Sequence, residues 1–150
     1  MRARTASVAD STVAGPSSED QPRANTPRVQ ISEVEIVNFC SRSGDDNGIH
    51  YKQPRIVPAL LVMEKLARLF QQANLVDGIP MFREIIRHRF PRALYGGDFI
   101  YATYSMQTVK TIVRLGIRVV VVSFKVYNQV DQMVGEGEWE MTILPKPNSN

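Results

Sequence analysis

The chain has 150 residues and a formal net charge of +3, with 43% hydrophobic and 22% charged residues. These values are ordinary for one globular domain, and so small a charge without a long Lys/Arg run argues against nucleic-acid binding. A single cysteine, Cys40, excludes an internal disulfide, so nothing indicates an oxidising compartment. The longest apolar run, residues 56–63, is far shorter than the ~20 residues of a membrane-spanning helix, so no membrane span is expected.

Residues 1–27 are rich in Ser, Thr, Ala and Pro and contain almost no large apolar residue. Such a segment cannot bury enough surface to offset its ordering entropy, so we expect a disordered tail. It also lacks the apolar middle of a secretory signal, and we expect a cytoplasmic protein. The predicted organisation is a tail over 1–27, one domain over 28–146 and a short C-terminal tail over 147–150.

The first predicted elements are a short strand in RVQI, which starts at Arg28, and a short helix after Ser32. Ser32 and Glu35 have the spacing of a capping box, in which each side chain bonds the other residue's backbone N–H. The stretch SGDDNGIH follows, and its Gly, Asp and Asn content predicts a tight polar loop.

A second helix is predicted over roughly Pro58 to Asn74, because Pro58 suits a first helical position. Ala59, Met63, Leu66 and Phe70 form one apolar stripe, and further apolar neighbours widen it. A helix that is apolar over so much of its circumference is mostly buried.

Four strands are predicted after this helix, in MFREIIRHRF, FIYATYSMQTV, IRVVVVSFKVYN and EGEWEMTIL. The valine run of the third suggests burial on both faces, while the fourth alternates polar and apolar residues. A curved antiparallel sheet wrapped around one central helix is the simplest way to bury that helix, so the expected fold class is α+β.

The polar loop places Asp45 and Asp46 just before His50. A histidine beside a carboxylate is a candidate general acid/base, because its proton moves near neutral pH and the carboxylate can orient the ring. The free N–H groups of the next helix could polarise a carbonyl group. The ordinary alternative is a histidine that only makes a surface or structural hydrogen bond.

Glu64 interrupts the apolar helix fourteen positions after His50. One interpretation is a catalytic carboxylate. The other is an ion pair with Arg68, four positions on, along the solvent-facing edge of the helix.

Two segments of the sequence resemble the signature motifs of known enzyme families. FCSRSGDDNGIH resembles the SGDxNPxH loop of MaoC-like (R)-specific enoyl-CoA hydratases, whose catalytic Asp and His correspond to Asp45 and His50. HYKQPRIVPALLVMEKLAR is similar to the HFPxxPxxPGVLxxEAxAQ signature of β-hydroxyacyl-ACP dehydratases, whose catalytic His and Glu correspond to His50 and Glu64. RHRFPRALYGGDFIYATYSM and NQVDQMVGEGEWEMTIL resemble later segments of both groups, over about residues 30–145 in all. The resemblance implies the hotdog fold.

The sequence departs from both patterns around the expected pocket. Gly48 stands where the hydratase loop has proline, and Ala59 replaces the favoured glycine after Pro58. Lys52 and Gln53 change the turn after the histidine, and Arg68 stands where glutamine is usual. Because these changes surround the pocket, the substrate and the reaction can differ from those of either family.

The resemblance implies a hydratase or dehydratase acting on acyl thioesters of CoA or acyl carrier protein, with no cofactor or metal of its own. His50 would be the main acid/base, with Glu64 preferred to Asp45 as second carboxylate, because a carboxylate on a buried helix needs a reason to be there. Substrate contacts would come from Asn47, Tyr51, Pro58, Ala59 and Leu60.

The resemblance also implies a homodimer, or an oligomer of dimers, with its pocket at the subunit boundary, so that the acid and the base can come from different chains. A basic cluster of residues could attract phosphopantetheine or an acidic carrier: Arg83, Arg87, His88, Arg89 and Arg92. Its alternative is a solvated strand face. The competing functions are a hotdog thioesterase, addition of another nucleophile such as an amine to the enoyl thioester, and a non-catalytic partner subunit.

Overall fold

The structure, a computed structural model, describes residues 24–73 and 77–148. Two short strands, β1 (Ala24–Asn25) and β2 (Val29–Gln30), precede helices α1 (Glu33–Ser43) and α2 (Ala59–Gln72). Four long strands follow: β3 (Ile79–Arg89), β4 (Phe99–Ile112), β5 (Ile117–Asn128) and β6 (Met133–Leu144). The predicted order of a short strand, a short helix, a loop, a central helix and four strands is confirmed, with Pro58 at the N-cap rather than inside α2.

All six strands belong to one antiparallel sheet in the order β1-β4-β5-β6-β3, and β2 also pairs with β4. The connection from β3 to β4 therefore crosses the sheet, whereas β4, β5 and β6 are joined by successive hairpins. β3 is an edge strand that pairs with β6. This is the helix-and-sheet arrangement of the hotdog fold.

The sheet begins earlier in the chain than expected. Ala24 and Asn25 pair with β4, and the Thr26 hydroxyl accepts the backbone N–H of Ala102 at 2.9 Å. Residues 24–27, which were predicted within the disordered tail, are thus attached to the sheet. Backbone hydrogen bonds to a strand edge need no large apolar side chains, so composition did not reveal them. Residues 1–23 lie outside the described part of the chain.

Helix α2 packs its apolar side on the inner face of the sheet. The ring of Phe70 meets those of Phe124 and Trp139 edge-on, with centroids 5.5 and 5.8 Å apart. Along β5 the residues alternate between buried and half-buried, so the expectation that this strand is buried on both faces is wrong. The buried residues of β5 pack in the core with α2, and the alternate residues on its second face are only half-buried.

The predicted capping box is present at α1. The N–H of Glu35 donates to Ser32 Oγ at 3.2 Å, and the N–H of Ser32 donates to Glu35 Oε2 at 2.9 Å. These bonds satisfy donors at a helix start that would otherwise lack partners. In the part of the chain that the structure describes, no helix is long and apolar enough to cross a membrane.

Candidate active site

The loop after α1 holds Asp45 in a defined position. Gly44 ends the helix with a φ of 72°, a left-handed conformation that favours glycine, and the N–H of Asp45 donates to the carbonyl of Cys40 at 3.1 Å. The Asp45 carboxylate accepts the N–H of Asn47 at 3.0 Å. These are the turn bonds expected of an Asp/Asn-rich loop, and they fix the carboxylate just before the 3₁₀ turn Gly48–His50.

The ring of His50 is buried and has an oxygen close to each nitrogen. Nδ1 lies 2.6 Å from the carbonyl oxygen of Ile56, and Nε2 lies 3.5 Å from Asp45 Oδ2. A carbonyl oxygen can only accept, so Nδ1 carries the proton of that bond and Nε2 is the nitrogen left to exchange a proton. The structure brings Asp45 and His50 together, and their catalytic roles stay a prediction.

Two residues predicted to contact substrate have contacts within the loop instead. The Tyr51 hydroxyl donates to the carbonyl of Asp45 at 2.8 Å, and Asn47 Oδ1 accepts the N–H of Ile49 at 3.3 Å. Desolvation, followed by the nearby Cys40 and acidic groups, raises the pKa of Tyr51, so its hydroxyl stays a donor at neutral pH. Both side chains therefore support the shape of the loop, and substrate contact by either stays a prediction.

The start of α2 lies next to this loop along the chain. The Ile56 carbonyl that accepts from His50 is two residues before the N-cap, Pro58, which supplies no side-chain cap. Ala59 and Leu60 are exposed, and their N–H groups at the first turn have no intrahelical acceptor. Free N–H groups at a helix start, aligned with the helix dipole, favour a partly negative oxygen there.

Glu64 lies on the solvent-facing edge of α2, as one of the two sequence interpretations expected, and its catalytic role stays a prediction. The preference for Glu64 assumed a carboxylate on a buried helix, yet its side chain is exposed on the outer side of α2. It borders a shallow cleft with Asn38 and Arg42 of α1, and His50 is absent from that border. Helical geometry explains this, because Leu60, Glu64 and Arg68 share one outward stripe at intervals of four residues. Among the described residues, Glu64 and Arg68 form no ion pair.

The buried charge on α2 is Lys65, one position further on. Its ammonium group pairs with the Glu35 carboxylate, which also completes the capping box of α1. Burial by itself raises the pKa of Glu35. The hydrogen bond and the charge of Lys65, together with the backbone N–H of Ser32, stabilise the carboxylate more strongly, so the pKa lies below its usual value. This ion pair links the start of α1 to α2 and is separate from the contacts of His50.

The predicted basic cluster divides into separate environments. Arg83 pairs with Glu140 at 3.2 Å and Arg89 with Glu136 at 3.3 Å, both across β3 and β6. His88 lies among aromatic rings, where burial lowers its pKa. The cluster is therefore mostly a neutralised strand face, which favours the solvated-face alternative over a carrier-binding patch.

Other site chemistry finds little support in residues 24–73 and 77–148. Burial, followed by the charge of Asp45, raises the pKa of the Cys40 thiol, so a reactive thiolate is disfavoured. The same residues contain no group of three or more His, Cys, Asp or Glu side chains arranged to hold a metal ion.

Sequence reasoning missed the carbonyl of Ile56 and the positioning bond of Tyr51. Every residue has a carbonyl, so an acceptor from the backbone leaves no mark in the sequence. Tyr51 stands directly after His50, but only the closed loop reveals which oxygen its hydroxyl reaches.

No protein-family model matches the chain, and no curated protein matches it. Solved structures do. A monoamine oxidase regulatory protein from Archaeoglobus fulgidus is 20% identical, with a TM-score of 0.71 over 85% of this chain and 91% of that one. An (R)-hydratase from A. caviae involved in PHA biosynthesis is 18% identical, with a TM-score of 0.64 over 87% of this chain and all of that one.

A third similar structure is the HadBC (3R)-hydroxyacyl-ACP dehydratase complex from Mycobacterium tuberculosis. It is 14% identical, with a TM-score of 0.60 over 82% of this chain and 97% of that one. Identities this low establish shape and not activity. The chain therefore has the hotdog fold shared by MaoC-like dehydratases, (R)-hydratases and hydroxyacyl-ACP dehydratases.

Proposed function

We propose that this protein is a hydro-lyase that adds water to 2-enoyl thioesters, or removes it from 3-hydroxyacyl thioesters, carried on CoA or acyl carrier protein. The observation that carries the proposal is that His50 Nε2 lies 3.5 Å from the Asp45 carboxylate, while Nδ1 bonds the carbonyl of Ile56, two residues before the N-cap of α2. The hotdog fold, which hydratases and dehydratases share, agrees with it.

In the hydration direction the thioester carbonyl would lie at the free N–H groups of Ala59 and Leu60. A water molecule beside His50 Nε2 and Asp45 would lose one proton to Nε2 as its oxygen bonds to the β-carbon, and the Asp45 carboxylate would stabilise the protonated ring. The negative charge that develops on the thioester oxygen is stabilised by the helix start. The proton held on Nε2 would then pass to the α-carbon, which completes the 3-hydroxyacyl thioester and restores the neutral ring; dehydration is the reverse.

Within one subunit the geometry favours Asp45 over Glu64 as the second carboxylate. Asp45 is next to the ring of His50, whereas Glu64 faces outward from α2. Glu64 remains a candidate only if oligomerisation brings the His50 of a second copy of the chain next to the outer side of α2.

The test is mass spectrometry of crotonyl-CoA incubated with the protein, in which a gain of one water is expected. His50→Ala and Asp45→Asn should each lower the rate by about 10²–10⁴-fold, the usual contribution of a general acid/base. Asp46→Asn is the matched control, because its exposed carboxylate neighbours Asp45 and contacts neither ring nitrogen of His50. Glu64→Gln at full activity would remove Glu64 from the mechanism.

The competing functions give different products in the same assay. Release of free CoA thiol would indicate a thioesterase, and a gain in mass from an added amine would indicate conjugate addition of that nucleophile. No change, together with formation of a mixed oligomer with another hotdog chain, would indicate a partner subunit. Full activity in both His50→Ala and Asp45→Asn would refute the assignment of the site.

A further inference from the structure

The hairpin that joins β4 to β5 ends in a tip, residues 109–118, that is apolar and exposed. Arg118 is the last residue of β5 that pairs with β6, so residues 112–117 extend past the neighbouring strand and pair only with each other. Four large aliphatic residues of this hairpin tip are more than a third exposed: Val109, Ile112, Val113 and Leu115. They form the apolar end of a protruding hairpin.

The geometry of the turn does not account for these aliphatic residues. The 3₁₀ turn Val113–Leu115 closes when the N–H of Gly116 donates to the carbonyl of Val113 at 3.1 Å, and only Gly116, with a φ of 63°, favours a particular residue. Tight turns are usually polar, as the turn between β5 and β6 is, where the Asn128 side chain accepts two backbone N–H groups at 3.0 and 3.1 Å. Grouped aliphatic residues at an exposed tip indicate a contact outside this chain.

The charges of the hairpin tip have a single sign. Lys110, Arg114 and Arg118 are its ionisable residues, and residues 109–118 contain no Asp or Glu. None of the three forms an ion pair within the described residues. The hydrogen bond and charge of Lys146 lower the pKa of Asp77, and Arg118 contributes less. That carboxylate is thus paired mainly with Lys146, and the tip stays cationic.

We infer that the hairpin tip docks on an anionic lipid surface, where its aliphatic side chains enter the boundary between headgroups and acyl chains and its three cations lie beside lipid phosphates. Surfaces that combine aliphatic residues with Lys and Arg bind membranes in this way. A protein partner is less favoured, because interface hot spots are rich in aromatic residues and poor in Val and Leu, and the tip contains no aromatic residue. The inference is independent of the proposed hydro-lyase activity.

Sedimentation of the full chain with lipid vesicles tests the inference. The probes are phosphatidylcholine vesicles with and without one third phosphatidylglycerol. We expect binding to the anionic vesicles and at least about tenfold weaker binding to the neutral ones, since each cation near an anionic surface contributes a factor of about five. Binding should weaken as salt is raised, because salt screens exposed charges.

Val113→Ser should weaken binding to the anionic vesicles about tenfold, because it removes an aliphatic side chain from the lipid contact. Its Tm should be unchanged, since Val113 is exposed and lies outside the core. Val130→Ser is the matched control, because it makes the same replacement at an exposed valine in the turn between β5 and β6 and should leave binding intact. Arg114→Gln should weaken binding about fivefold.

Val113→Trp reports whether the tip enters the lipid. Lipids with brominated acyl chains should quench the fluorescence of the new tryptophan. The wild-type protein is the control, because its only tryptophan, Trp139, is buried and should not be quenched.

Four results would overturn the inference. They are no sedimentation with the anionic vesicles, equal binding by the wild-type protein and Val113→Ser, and binding without quenching of Val113→Trp, which would indicate attraction by charge alone. The fourth is a lower mass for Val113→Ser than for the wild-type protein in light scattering, which would assign the hairpin tip to a contact with a second copy of the chain. All of these readouts are separate from the hydration assay.

Discussion

The candidate role of His50 depends on the two groups that contact its ring nitrogens. The Ile56 carbonyl selects the nitrogen that carries a fixed proton, and Asp45 stands beside the other nitrogen. Asp45 is in turn held by the Asn47 N–H and, through its own carbonyl, by the Tyr51 hydroxyl. The geometry of the candidate pair therefore depends on residues that need never touch the substrate.

Tyr51→Phe tests that dependence, because it removes the hydroxyl and keeps the ring. We expect kcat to fall about fivefold from the loss of one positioning hydrogen bond, with little change in Tm at this exposed site. Steady-state kinetics and thermal melts are the measurements. An unchanged kcat would show that the bond to the Asp45 carbonyl does not position the carboxylate.

His88 is the residue whose replacement should stabilise the fold. Its Nδ1 and Nε2 are buried without hydrogen-bond partners in the described residues, while its ring stacks on Phe90. His88→Phe keeps the stacking and removes two unsatisfied atoms, so we expect a gain of about 1 kcal/mol at neutral pH, measured by urea unfolding.

The pH dependence of that gain follows from burial, which lowers the folded-state pKa of His88 below its usual value of 6.5. As pH falls below 6.5 the unfolded chain binds a proton before the folded one does, so the wild-type protein loses stability down to the folded pKa. The advantage of His88→Phe should therefore grow as pH is lowered through this range. A constant difference between the two proteins would contradict it.

At the scale of the elements, the two helices are joined by a polar contact. Glu35 caps α1 and pairs with the buried Lys65 of α2. The depressed pKa of Glu35 means that its contribution to stability is present above its usual value of 4.5 and is lost as pH falls through the folded pKa.

Glu35→Gln should destabilise the protein by roughly 1–2 kcal/mol at neutral pH. This cost is smaller than the cost of removing one partner from a fully buried ion pair, because Glu35 is partly exposed to solvent. Lys65→Met should cost less, since it leaves the carboxylate near water and no buried cation behind. Urea unfolding at neutral and acidic pH would measure both, and a larger loss in Lys65→Met would contradict this account.

The pairing of β3 with β6 depends on a close approach at Gly137. A Cβ there would meet the Arg87 carbonyl of β3 and would lie 2.8 Å from Cζ of Phe124. We expect Gly137→Ala to cost about 1–3 kcal/mol, the usual range for overpacking. Gly135→Ala is the control on the same strand, because its Cβ would meet Val126 at 3.4 Å and should cost much less in thermal melts. Equal costs would rule out close approach as the reason for Gly137.

At the scale of the whole molecule, the exposed edge strand β3 is the candidate interface with a second copy of the chain. It is an edge strand, and its large apolar residues are about half exposed: Ile79, Met81, Phe82, Ile85 and Ile86. A long apolar edge with unpaired backbone groups favours pairing with another strand. Because the resemblance also implies a homodimer, we predict that β3 pairs with its counterpart in a second chain.

Light scattering after size exclusion should give the mass of a dimer or of an oligomer of dimers. Ile86→Lys, on the exposed edge strand, should shift the protein toward monomer by placing a charge at the contact. Val113→Lys is the control, because Val113 is 84% exposed in a turn away from β3. A monomeric wild-type protein, or equal effects of the two variants, would refute this interface.

Local patterns of the sequence determined much of this protein. The stripe through Leu66 and Phe70 predicted α2, and the capping box predicted α1. Residues of high β propensity predicted the long strands, and alternation marked the last of them. Side-chain periodicity and propensity are local properties of a sequence. The loop SGDDNGIH predicted the closeness of Asp45 and His50, since a tight turn brings together residues five positions apart.

Only the tertiary structure decided which positions face inward and what surrounds them. It turned Glu64 outward and buried its neighbour Lys65, because one residue of helix rotation separates the two sides of α2. It attached Ala24 to β4 and enclosed Trp139 beside a cavity, because contacts between residues distant in sequence exist only after the sheet has closed on the helix. The chain thus encoded its elements and its catalytic candidates locally, and folding determined which of those candidates lie close together.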